Sequence, residues 1–65
     1  MTRDLLVIQS NALEALRDYR RCLRNAENAG LPQVAHFVRL LIEEDSARAM
    51  HCQGLLRKLG STASD

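Results

Sequence analysis

The side chains with chemical potential crowd into one stretch of the second half of the chain: Glu44, Asp45, Arg48, His51 and Cys52. Asp45 and Arg48 stand three residues apart, the spacing at which a carboxylate and a guanidinium meet on one face of a helix. Glu44 and His51 are two helical turns apart, roughly 10 Å, too far to chelate one ion within a chain. Asp45, His51 and Cys52 are donors that a metal shared between two copies of the chain would use, whereas one chain alone is expected to hold no metal and no cofactor. Ser10 and Ser46 have no histidine at helical spacing, and no glycine-rich phosphate loop is present. No nucleophile–base pair and no pair of inward carboxylates can be assembled, so the expectation is a protein that is not an enzyme.

The elements that position these groups are two helices of similar length, divided by Gly30-Leu31-Pro32. Glycine takes the left-handed conformation just beyond a helix end, and proline suits the first position of the next helix. The sequence predicts an all-α antiparallel hairpin: a helix over about 3–29, a turn at 30–31, a helix over about 32–59, and a disordered tail over 61–65. Thr2 is the expected N-cap of the first helix. Gly60 is the expected stop of the second, with Arg57 and Lys58 complementing the dipole in its last turn. The apolar residues of the first helix recur at spacings of three and four: Leu5, Ile8, Ala12, Ala15, Leu16, Tyr19, Leu23 and Ala26. Those of the second are Val34, Phe37, Val38, Leu41, Ile42, Ala49, Cys52, Leu55, Leu56 and Leu59.

Asp45 falls in the middle of this second stripe and Arg48 toward one side of it, both where leucine would be expected. An isolated buried carboxylate is costly. The simplest account is an Asp45–Arg48 ion pair, shared with Tyr19 or with the same residues of a second chain. The alternative is that both side chains reach solvent at the edge of an open hairpin.

A chain of 65 residues makes one small domain, and one of this size buries only about 60% of its unfolded surface. Its 46% hydrophobic content is too high for a disordered chain, and with one Tyr, one Phe and no Trp the core must be aliphatic. Nine basic and eight acidic residues nearly cancel. Arg17, Arg20, Arg21 and Arg24 cluster, but Asp18 and Glu27 interrupt them and no aromatic is interleaved, so no nucleic-acid partner is expected. No apolar run approaches the ~20 residues of a membrane span, and Leu5 to Ile8 is too short for a signal peptide, so the expected location is the cytoplasm. In the hairpin Cys22 and Cys52 lie about 20 Å apart along the axis, which excludes a disulfide within the chain.

Tyr19, Gly30-Leu31-Pro32, Ala35, Val38-Arg39, Glu44-Asp45, Arg48-Ala49 and Leu59-Gly60, in this register, resemble the first helical hairpin of bacterioferritins and other ferritin-like proteins. The resemblance runs without gaps from about Leu5 to Gly60 and implies one half of a four-helix bundle. It also implies that the metal site has been lost. Ala12 stands where that family has an iron-ligating Glu, and Asp45-x-x-Arg48 stands where it has Glu-x-x-His. Ser46 occupies the position of the haem-ligating Met of bacterioferritins. Arg48 then supplies as counter-ion the positive charge a metal would have supplied.

Two helices bury only the stripes they turn toward each other, so a second copy is expected to close a four-helix bundle. The residues expected at the interfaces are Leu5, Ile8, Leu16, Leu23, Phe37, Val38, Leu41, Ile42, Leu55 and Leu56. The function this predicts is a non-catalytic, self-associating interaction or scaffold protein, a degenerate ferritin-like half-bundle. Two other readings stay open. One is an adaptor that caps another helical protein, since Pro32-Gln33 followed by Leu40-Leu41-Ile42-Glu43 is faintly similar to the co-chaperones of type III secretion needle subunits. The other is a ferritin-like dimer that binds metal through Asp45, His51 and Cys52.

Overall fold

The computed structural model describes the backbone of residues 1–64 and the side chains of residues 1–60. Helix α1 spans Thr2–Asn28 and helix α2 spans Pro32–Ser64, and the two pack antiparallel along their length. The molecule is a rod with extents of 54 × 14 × 12 Å.

The turn forms as the tripeptide requires. Gly30 adopts φ +68°, a conformation that β-carbon-bearing residues resist. The Leu31 N–H donates to the Ala26 carbonyl (2.9 Å) and the Gly30 N–H to the Glu27 carbonyl (3.1 Å). This is the Schellman pattern, and it satisfies two carbonyls that a bare helix end leaves open. The Leu31 carbonyl then accepts from the Ala35 N–H (3.0 Å), with Pro32 at the first helical position, where its missing N–H costs nothing.

The helix ends depart from expectation in two places. Helix α1 begins one residue early: the Leu5 N–H donates to the Met1 carbonyl, and Met1, without a side-chain capping bond, replaces Thr2 as N-cap. Helix α2 continues through Gly60 to Ser64, so Arg57 and Lys58 do not occupy its last turn. Gly30 ends a helix because the chain reverses there and capping bonds form. Gly60 takes no positive φ, and a glycine that stays helical costs about 1 kcal/mol without compelling a stop. For the expected disordered tail over 61–65, Asp65 and the side chains of 61–64 lie outside the described residues.

The helices meet along a narrow seam. On α1, Leu5, Gln9, Ala12, Leu16, Tyr19, Leu23 and Ala26 are all buried or half-buried. On α2 the same holds for Ala35, Val38, Ile42, Asp45, Ala49, Cys52, Leu56 and Leu59. Both lines alternate steps of three and four, the repeat of a coiled-coil seam. The turn fixes the antiparallel register, placing Ala26 level with Ala35, Tyr19 with Ile42, Leu16 with Asp45 and Ala12 with Ala49. Gln9 spans the seam one level on, its Nε2 donating to the Ala49 carbonyl at 3.5 Å. Four of the buried residues are alanines, and the largest are Leu16 and Val38.

The observed seam is narrower than the apolar stripes. Gln9, Ala35 and Asp45 lie in it, while Ile8, Val34, Phe37 and Leu55 are left exposed. One partner helix covers only the line it faces, so residues 40–100° around the cylinder stay outside however apolar they are.

Candidate docking face

Of the large apolar side chains left exposed, Leu6, Val7, Leu13, Leu40 and Met50 lie on the opposite flank or the outer faces, whereas Ile8, Val34, Phe37 and Leu55 share one side. Ile8, Ala15 and Cys22 each precede a seam residue of α1, and Val34, Leu41, Arg48 and Leu55 each precede one of α2. In an antiparallel pair of right-handed helices these two rows fall on the same flank of the hairpin. Phe37, one turn beyond Val34, extends this flank outward. The opposite flank carries the residues that follow the seam, and its polarity toward the turn confirms the geometry: Arg39 pairs with Glu27 across the helices at 2.9 Å. Leu6 and Leu13 occupy that flank near the open end.

On the first flank, relative exposure is 44% for Ile8, 42% for Val34, 59% for Phe37 and 37% for Leu55, with Leu41 half-buried. The row is apolar from turn to open end except for Arg48. No side chain of a large residue is completely buried anywhere among the described residues. The residues that the hairpin buries most deeply are thus mostly small, and a row of larger apolar residues stays partly open beside them.

The ten residues expected at interfaces divide accordingly. Leu16 and Val38 are buried in the seam. Leu5, Leu23, Leu41, Ile42 and Leu56 are half-buried, and Ile8, Phe37 and Leu55 face outward.

Beneath the apolar flank lies the ion pair. The Asp45 side chain is 10% exposed and accepts a hydrogen bond from Arg48 Nη1 at its Oδ1. Arg48 reaches it from the flank, with 52% of its own side chain exposed. Asp45 therefore stays inside the seam because a cation one turn away leans over it. Tyr19 is half-buried one turn from Leu16 and makes no hydrogen bond to either residue, so it does not join the pair. Of the three metal candidates, Asp45 is engaged with Arg48, His51 is exposed and Cys52 is buried in the seam. Among the described residues no three His, Cys, Asp or Glu side chains converge. Cys22 is a free thiol on the flank and Cys52 a free thiol in the seam.

Sequence periodicity missed Gln9 and Ala35 as seam residues. The signal for them is present: steps of strictly three and four from Leu5 and from Val38 reach both, whereas ranking by hydrophobicity selects Ile8 and Val34 instead. Among the described residues no helix is long and apolar enough to cross a membrane. No protein-family model matches the chain, and neither does any curated protein or solved structure.

Proposed function

We propose that this hairpin is a non-catalytic interaction module whose apolar flank docks against a second copy of itself and closes a four-helix bundle. The observation that carries the reading is the continuous flank of Ile8, Val34, Phe37, Leu41 and Leu55, exposed or half-buried beside an alanine-rich seam. Each of these side chains is worth roughly 1.5–3 kcal/mol when fully buried, and the hairpin alone leaves a substantial part of that unrealised. The flank also has the right size. A side of 54 × 14 Å is on the order of the ~800 Å² per partner that stable interfaces bury. A second copy suits it chemically. Arg48, the one charge in the row Val34, Leu41, Arg48 and Leu55, has donors beyond the one given to its own Asp45, and Asp45 of a second copy offers an acceptor at mid-length.

On this reading the chain is a ferritin-like half-bundle that has exchanged its metal site for a salt bridge. The replacement of ligand positions by Ala12, Arg48 and Ser46 supports it, as does the engagement of Asp45 by a permanent cation. Ferroxidase chemistry needs several inward carboxylates and is not part of the proposal. A reducing compartment such as the cytoplasm suits the two free thiols.

Sedimentation combined with thermal melting tests the reading. The parent chain is expected to sediment as a dimer with a melting temperature that rises with concentration. Phe37→Glu is expected to be monomeric, with a lower and concentration-independent melt. A parent that stays a well-folded monomer into the millimolar range overturns the proposal, and a chain that is stable only with a different helical protein makes it an adaptor instead.

A further inference from the structure

Asp45 and Arg48 occupy a special position along the rod. The paired length runs from the turn to Thr2 and Leu59, and the two residues straddle its middle, Asp45 being level with Leu16. A two-fold axis that overlaps two hairpins along their full length has only two effects on level. It keeps each residue at its height, or it reflects each about the midpoint. Either operation brings the Asp45–Arg48 pair of one copy to that of the other.

Resting on the self-docking reading, the geometry points to a four-member network at the centre of the dimer that fixes the alignment of the two hairpins. Asp45 accepts one hydrogen bond within its own chain, from Arg48, although a carboxylate accepts about four. Arg48 donates that one bond out of five available donors, and half of its side chain lies open on the flank that docks. In the aligned dimer each carboxylate accepts from both guanidinium groups, and the four charges cancel. A slide along the flank leaves each guanidinium only the bond to its own Asp45 and sets its remaining donors, desolvated, against aliphatic side chains such as Leu41 and Leu55. The apolar residues tolerate several alignments, since hydrophobic contact is non-directional; the charged quartet tolerates one.

The decisive variant is Asp45→Leu with Arg48→Leu, which removes both charges together so that neither is stranded. Alignment is read from the distance between spin labels on Met50→Cys, an exposed site, in a Cys22→Ser/Cys52→Ala background. The labelled parent is expected to show one narrow distance. The leucine variant is expected to dimerise within tenfold of the parent or more tightly, with a broadened or multiple distribution. A leucine variant that keeps the parent's single distance overturns the alignment role while leaving the docking reading intact. A parent that is monomeric in the same sedimentation run overturns both. Should the leucine pair not fold, Asp45→Asn with Arg48→Gln, which keeps shape and hydrogen bonding without charge, is read by the same criteria.

Discussion

The seam and the apolar flank lie side by side on the same two helices and are built on opposite rules. The seam is lined by Ala12, Ala26, Ala35 and Ala49, with Leu16 and Val38 as its only buried residues of larger aliphatic size. Alanine loses no side-chain entropy in a helix and lets two backbones approach closely, but it removes little apolar area from water. The flank carries branched and aromatic residues, Ile8, Val34, Phe37, Leu41 and Leu55, that the hairpin leaves partly open. The contrast teaches that the seam sets geometry while the flank holds the free energy to be gained by assembly. In a chain this small the two functions need not coincide, because a second molecule supplies the missing layer.

The sharpest way to break this comparison is to truncate one large side chain in each region. Leu16→Ala removes the larger of the two buried aliphatic residues and is expected to cost about 2–5 kcal/mol. A domain of this size has only about 3–5 kcal/mol to lose, so the variant is expected to lose most of its stability, read by circular dichroism, in dilute and concentrated samples alike. Phe37→Ala removes a side chain that the hairpin leaves 59% exposed. Its effect is expected to depend on concentration. When the dimer is saturated the melt falls below that of the parent, in line with an association weakened by about 2 kcal/mol, or roughly thirtyfold, and on dilution to the monomer the two melts converge. Equal and concentration-independent losses for the two variants would mean that seam and flank are one core.

Arg48 stands on the boundary between the two regions and gives the next effect in size. Arg48→Ala leaves the Asp45 carboxylate in the seam without its cation. Stranding a buried acceptor costs about 1–3 kcal/mol and more where it is charged, and because half of the Arg48 side chain is open in the hairpin, the lower part of that range applies to the monomer. The dimer, where the pair is enclosed, is expected to show the upper part. Asp45→Leu in the same background restores the loss. A melting temperature unchanged by Arg48→Ala would place the pair in solvent and remove it from the interior of the assembly.

The hairpin was legible because its punctuation is unambiguous: Gly30 and Pro32 can serve a helical sequence in few other ways, and the Schellman bonds form around them. Asp45 was legible as an interior residue because it interrupts an apolar periodicity, and Arg48 as its partner because of a spacing of three. The exact seam was less so. Hydrophobicity marks every apolar residue within a wide arc, whereas burial depends on which line within that arc meets the other helix. That line is set by repeated steps of three and four along the whole helix. This brought in Gln9 and Ala35 and left out Ile8, Val34, Phe37 and Leu55. Helix termini were read least well, since Met1 caps through its carbonyl alone and a late glycine such as Gly60 does not have to end anything.

The smallest effect tests where a second copy sits. Gly54 lies inside α2, two residues from Cys52 and two from Leu56, both seam residues, so it faces away from α1. It has no positive φ, and a β-carbon added there meets nothing within 4 Å. A helical glycine costs about 0.5–1 kcal/mol relative to alanine, through the freedom it retains when unfolded. Gly54→Ala is therefore expected to stabilise the protein by that amount, which in a domain of this length raises the melting temperature by roughly 2–8 °C. The gain should appear equally in dilute and concentrated samples, because docking through the flank leaves the outer side of α2 open. A gain in dilute solution that vanishes or reverses on association would mean that the second copy packs on the back of α2, over Gly54. The exposed flank of Ile8, Phe37 and Leu55 would then have to find a different partner.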